Sequence, residues 1–123
     1  MTLREVNESE AMIEVEVNCP DTEAARRIAC SAVAGGLAAC ANILPGVESV
    51  YLWQGAMETG PEVALRLKSH RGCFDELCSL IIRLHPYDLP AIVALPVLVA
   101  GPGYRDWLIE STGGHDQPPA GDL

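Results

Sequence analysis

From Met12 to Asn18 apolar and polar side chains alternate one for one. Ile13, Val15 and Val17 fall on one side; Glu14, Glu16 and Asn18 fall on the other. A period of two predicts a strand with one buried face. Pro20 ends it, and Asp21 is placed to cap a following helix through its carboxylate. Over 22–37 the period changes. Ala25, Ile28, Ala29, Ala32 and Val33 recur at three- and four-residue steps, the stripe of a helix lying on a core. Cys30 flanks that stripe, and Gly35-Gly36 closes the helix. A long strand is predicted over 40–53, interrupted at Pro45-Gly46, which signals a bulge or an edge position. Tyr51 and Trp53 share one face of its second half. Gln54-Gly55 turns the chain, and a strand returns over 62–68 with Val63, Leu65 and Leu67 alternating against Ala64, Arg66 and Lys68. A second helix over 72–84 buries Phe74, Leu77, Cys78, Ile81 and Leu84, and Pro86 stops it. A strand over 92–99 contains Pro96, again an edge signal. A short helix over 103–111 turns Tyr104, Leu108 and Trp107 inward.

Strand, helix, strand, strand, helix, strand is the split βαβ, or ferredoxin-like, α+β pattern, here with a short C-terminal helix added. Both long helices cover one sheet face. The first and third strands are then central and antiparallel, with Ile13, Val15, Val17, Val63, Leu65 and Leu67 facing the helices. Their other sides carry Glu14 and Glu16 opposite Arg66 and Lys68, a charged face that compensates itself. It is either wet or covered by a partner subunit. Residues 1–11 read as a flexible leader, 12–112 as the domain, and 113–123, rich in Gly and Pro, as a disordered tail.

Composition narrows the function. The chain has 123 residues, enough for one domain. It is 49% hydrophobic and only 20% charged, an apolar excess that small domains often hide in an oligomer interface. Seventeen acidic against eight basic residues give a net charge of −9. The basic residues are scattered, so nucleic acid is not an expected partner. No apolar run reaches membrane-spanning length, and 1–10 is too polar for a secretory signal. The expected compartment is the cytoplasm.

Chemistry-bearing residues are few. The five cysteines form no Cys-x-x-Cys pair and read mainly as free, buried thiols. Cys19 stands between a strand and a helix start, where amides and the helix dipole lower a thiol pKa. It is either a packed loop thiol or a ligand for a soft metal such as Cu(I). His85-Pro86-Tyr87 lies where a helix ends and a strand approaches. His85 either satisfies the last helix carbonyls or serves as a pocket metal ligand. Tyr51 and Trp53 are core, pocket or subunit-contact aromatics. His70 reads as part of a polar turn, and His115 as part of the tail. No phosphate loop, G-x-S-x-G or H-E-x-x-H occurs. These features describe an oligomeric binding module rather than an enzyme.

Several segments in order resemble the CutA divalent-cation-tolerance family over about residues 12–112. They are Asn18-Cys19-Pro20-Asp21, LAACANILPGVESVYLWQG over 37–55, Lys68, HPYDLPAIVALPV over 85–97 and YRDWLIEST over 104–112. The resemblance implies a ferredoxin-like fold, a tight homotrimer, and an architecture similar to trimeric nitrogen-regulatory signalling proteins. It also implies a role in tolerance of divalent metals, with copper bound by some members. It places a pocket between subunits near Trp53, Lys68, His85 and Tyr87. Val17 stands where some members carry a copper-liganding thiol, Leu84 where some carry a second His, and Ala91 where many carry a Glu. The expected site is therefore a weak copper or other divalent-cation site at Cys19 and His85, with Trp53, Lys68 and Tyr87 around an intersubunit pocket. The alternative is a trimeric signalling or scaffold module. There Lys68 supplies charge, and Trp53 and Tyr87 supply walls, for a small molecule.

Overall fold

The structure, a computed structural model, describes residues 8–112. The tail 113–123 with His115, and residues 1–7 of the leader, lie outside the described residues. Within the leader, Glu8–Glu10 forms a 3-10 turn. It is tied down by Arg71 N–H donating to Ala11 O at 2.8 Å and the Arg105 guanidinium donating to Glu10 O at 3.0 Å.

The regular elements are β1 (Met12–Cys19), α1 (Thr22–Ala34), β2 (Cys40–Trp53), β3 (Ala56–His70), α2 (Phe74–Leu84), β4 (Val93–Pro96) and α3 (Tyr104–Thr112). The sheet order is β2-β3-β1-β4, with all three pairings antiparallel. This is the α+β arrangement expected from the alternation of patterns, with β1 and β3 central. Val15 pairs with Leu67, and Val17 with Leu65, in one register. All four are buried under α1 and α2 with Ile28, Leu77 and Ile81. Asp21 caps α1 as the sequence predicts, its carboxylate accepting from Ala24 N–H at 2.8 Å. Gly35 ends that helix.

Several expectations change. Val33 is not in the α1 stripe but 42% exposed, since Ala32 already fills the core side of that turn. Trp107 is likewise 46% exposed, and Phe74 is only half-buried. β4 is short, four residues instead of eight, because Pro96 removes a ladder donor. β3, by contrast, starts at Ala56 rather than 62, so the β2–β3 hairpin extends well beyond the helices.

The hairpin turns on Gln54 and Gly55, both at positive φ (51° and 83°), the pair that matches the strand twist. Pro45-Gly46 forms the expected bulge, on the strand at the sheet edge. Its consequence is a change of face. Below it Cys40, Asn42 and Leu44 pair with Lys68, Arg66 and Ala64; above it Val47, Ser49 and Tyr51 pair with Glu62, Gly60 and Glu58. One inserted residue flips the alternation of everything after it. Tyr51 and Trp53 therefore stand on the side away from α1 and α2.

α3 covers the opposite end of that same face. Leu108 packs on Met12 and Ala39, and Tyr104 reaches Cys40, with its Oη 3.7 Å from the thiol. His70 is buried at the end of β3, not in a polar turn. Its Nδ1 lies 2.7 Å from Thr112 Oγ1, joining β3 to the last residue of α3.

Candidate functional site

Above the bulge, the face left open by α3 forms a cavity of about 910 Å³. β2 lines it with Ser49, Tyr51 and Trp53, β3 with Glu58, Gly60 and Glu62, and β1 with Asn18. The loop after α2 closes one side with Tyr87, Leu89 and Ala91. The strand pairing explains the meeting: Tyr51 lies opposite Glu58, and Glu62 is two further positions beyond Gly60 on the same face.

The loop is held by His85. Pro86 cannot continue the helix, and His85 takes an extended backbone conformation at the end of α2. Its buried ring is 2.8 Å from Asn18 O through Nε2, while Nδ1 accepts from Tyr87 N–H at 3.1 Å. Because Nδ1 is an acceptor, Nε2 carries the hydrogen and donates it to the strand carbonyl. The Tyr87 ring packs on the imidazole with centroids 4.7 Å apart. Its phenol donates to Glu62 Oε2 at 2.8 Å. Burial, followed by the Glu62 carboxylate, pushes the Tyr87 hydroxyl up to about 12.

Cys19 lies beneath this site with no exposed surface. The expectation of an acidified thiol is reversed: burial first, then the charges of Asp21 and Glu62, push it up to about 11. The reason is local. The thiol is fully buried and two carboxylates stand near it, so desolvation and like charge outweigh what the helix dipole offers. Cys19 and His85 are thus close to the site but engaged inward, the thiol packed and both ring nitrogens hydrogen-bonded. Among the described residues, no group of three or more His, Cys, Asp or Glu side chains is gathered to hold a metal ion.

The remaining expected residues divide. Trp53 and Tyr87 line the cavity, but Lys68 does not. Lys68 lies further down β3, its Nζ 2.8 Å from Glu14 Oε1, and this contact holds the Glu14 carboxyl below its ordinary value. Glu58 was missed because the sequence pattern leaves 56–61 outside the strand, and Glu62 because it stands as the first residue of the predicted strand with no partner across from it in the sequence reading. The signal was present: Glu58, Gly60 and Glu62 repeat every second residue opposite Tyr51, the spacing of one strand face.

Comparison with known proteins decides the family. The family model described as CutA1 divalent ion tolerance protein matches residues 13–111. The chain belongs to this family. The divalent-cation tolerance protein CutA of Thermus thermophilus is 43% identical over 99 residues, covering 80% of this chain and 96% of that protein. Protein CutA 1, chloroplastic, of Oryza sativa is 41% identical over 81% of this chain, and the match spans only 56% of that relative's length. The crystal structure of CutA1 from Oryza sativa superposes with a TM-score of 0.82 at 39% identity, covering 86% of this chain and 97% of that one. Among the described residues no helix is long and apolar enough to cross a membrane.

Proposed function

We propose that this CutA-family chain acts as a homotrimeric, non-catalytic responder to divalent cations, and that the cation is taken by the carboxylates over the β2–β3 arm. One observation carries the reading: Glu58 and Glu62 share a cavity wall with Tyr87 and Asn18, and no Lys or Arg stands in that wall. Two carboxylates in a partly apolar cleft focus negative potential and attract cations. The donors are oxygens, a set suited to hard ions such as Mg²⁺, Ca²⁺ or Mn²⁺ more than to Cu(I). This moves the ligand from Cys19 and His85, where the sequence put it, to the surface above them. An anionic metabolite fits less well, since Lys68 is engaged by Glu14 outside the wall.

Glu58 and Glu62 are four residues apart on one strand, roughly 13 Å along the backbone, so each acts as a separate carboxylate and water or another copy supplies the rest of a coordination shell. Self-association is supported by the arm itself. Leu52, Trp53 and Met57 are each more than 60% exposed near its tip, and both edge strands, β2 and β4, have one unpaired side. Apolar surface of this kind marks a contact with another protein.

Calorimetric titration with Mn²⁺, together with sedimentation, tests both parts. Glu58→Gln with Glu62→Gln is expected to abolish binding, and Cys19→Ala to preserve it. Leu52→Asp with Trp53→Asp is expected to lower the sedimenting mass from trimer to monomer. Undiminished binding in the double Gln variant, or an unaltered mass in the Asp variant, refutes the corresponding half.

A further inference from the structure

α3 stands apart from the core that holds the rest of the fold. The main cluster of buried side chains runs from Val15 and Ile28 to Leu77 and Ile81, and among the described residues none of its members comes from α3. Of the nine residues of α3, Leu108 and Thr112 are buried. Leu108 joins a small separate cluster with Met12 and Ala39. A helix of this length does not persist in water by itself, so α3 is ordered by what grips it. At its start Tyr104 rests on Cys40, and Arg105 donates to Glu10 O at 3.0 Å. At its end the grip is polar and buried. The Thr112 hydroxyl donates to Leu108 O at 2.7 Å, so its oxygen is left to accept the Nδ1 hydrogen of His70, also at 2.7 Å. The Cys73 thiol donates to Thr112 O at 3.3 Å. His70 cannot follow if the helix leaves. Its ring is buried, and a methyl group at Gly72 would stand only 3.2 Å from its Nε2 and 3.2 Å from Ser9 O, so the chain closes tightly beside it.

Below this helix lies one row of the sheet face. Cys40, Lys68 and Glu14 are opposed across β2, β3 and β1. The Lys68 and Glu14 side chains are 26% and 19% exposed, against 46% and 35% for Arg66 and Glu16 in the next row. We propose that α3 is a strap that opens as a unit while the sheet, α1 and α2 stay folded. The His70–Thr112 hydrogen bond is its clasp, and opening uncovers the row of Cys40, Lys68 and Glu14. The separation of the two clusters is what allows this. Release of α3 gives up Leu108 and the polar grip at Thr112, whereas the main cluster loses no member. Segments with few buried apolar contacts open below the cost of global unfolding. Access to the Cys40 thiol is then set by the clasp and not by unfolding of the domain. The inference is independent of any cation at the cavity, which lies at the other end of the face.

The full-length chain is compared with Thr112→Val, which keeps the shape of the side chain and removes the acceptor for His70. Amide hydrogen exchange is measured alongside the rate of Cys40 alkylation by iodoacetamide, followed peptide by peptide in a mass spectrometer because Cys30 is also exposed. In the variant the α3 amides from Trp107 onward are expected to exchange about 5- to 100-fold faster, the scale of one buried donor left unpaired. Cys40 alkylation is expected to rise by a similar factor, while amides of β1, α1 and α2 keep their wild-type rates. Arg105→Gln loosens the other end without touching the buried knot, and is expected to move both readings in the same direction by less. Wild-type exchange of α3 in Thr112→Val overturns the clasp. Equal acceleration in α1, α2 and β1 overturns the strap, because α3 would then open only with the whole domain. Faster α3 exchange with unchanged alkylation in both variants overturns the uncovering of Cys40.

Discussion

The β2–β3 hairpin is one structure with two different lives. Its lower half lies under α1 and α2, and Leu65 and Leu67 there have no exposed surface. Its upper half has the same antiparallel ladder but no helix above it, and Leu52 and Met57 are each 68% exposed. Backbone hydrogen bonds are equally available to both halves. What differs is burial, and burial is the term that stabilises a sheet in water. An isolated two-stranded ribbon is marginal by itself. The lower half is therefore fixed by the monomer's own core. The upper half, which carries the candidate site, is supported by the ladder and by whatever else binds to it.

The largest expected effect draws the line between the halves directly. Leu65→Ala removes a fully buried side chain and is expected to cost about 2–5 kcal/mol of stability. Leu52→Ala on the arm is expected to cost within about 0.5 kcal/mol for the monomer, as exposed substitutions do. Urea unfolding at low protein concentration measures both. Equal losses would mean that the arm is as much part of the monomer's core as the base.

Cys19 sits at the boundary, the last buried residue of β1, paired with Val63 beside the cavity residue Glu62. Its thiol is pushed up to about 11 in the fold, above the value it has in an unfolded chain. The folded state thus holds this proton more tightly. The resulting stability is complete below the ordinary thiol pKa and is lost as pH rises through about 11. The full loss is at most about 2–3 kcal/mol, from about 1.4 kcal/mol per pKa unit. Other thiols and tyrosines titrate in the same window, so the informative quantity is wild type minus Cys19→Ala, measured by denaturant unfolding between pH 8 and 11. A flat difference would show that Cys19 is not sealed off from solvent.

The same boundary separates what the sequence disclosed from what it hid. Where one side of a strand is buried, chemistry alternates visibly, and β1 and the stretch from Val63 to Leu67 were legible for that reason. The segment from Ala56 to Pro61 has no buried side; with nothing forcing an apolar face, it reads as a loop. The bulge was legible at Pro45-Gly46, but not its effect of turning Tyr51 and Trp53 toward the acidic face, since that depends on register with β3. Similarity to the CutA family pointed to the loop that begins at His85, and Tyr87 of that loop lines the cavity. It did not disclose the inward engagement of Cys19 and His85, because a hydrogen bond donated by His85 Nε2 to Asn18 O, 67 positions away, has no local signature. Lys68 was placed at the pocket by the family resemblance, while the strand pattern already set it across from Glu14, and it is Glu14 that it engages.

The smallest effect belongs to the reverse side of the well-covered half. Arg66 lies between Leu65 and Leu67 in the chain but points the other way, its Nε 3.6 Å from Glu16 Oε2. Both side chains are a third to a half exposed, so water screens the pair and competes for it. Glu16→Gln is expected to cost under about 1 kcal/mol in the monomer. That number sharpens the comparison by what it assumes, namely that this face is wet. If assembly covers it, the lone Arg66 of the variant is desolvated without its partner, and a single missing charge in a dry interface costs several times more. Unfolding measured below and above the concentration at which copies associate separates the cases. A loss under about 1 kcal/mol at both concentrations would mean that subunits meet through the arm alone. A loss that grows with association would extend the interface down over the charged face of the sheet.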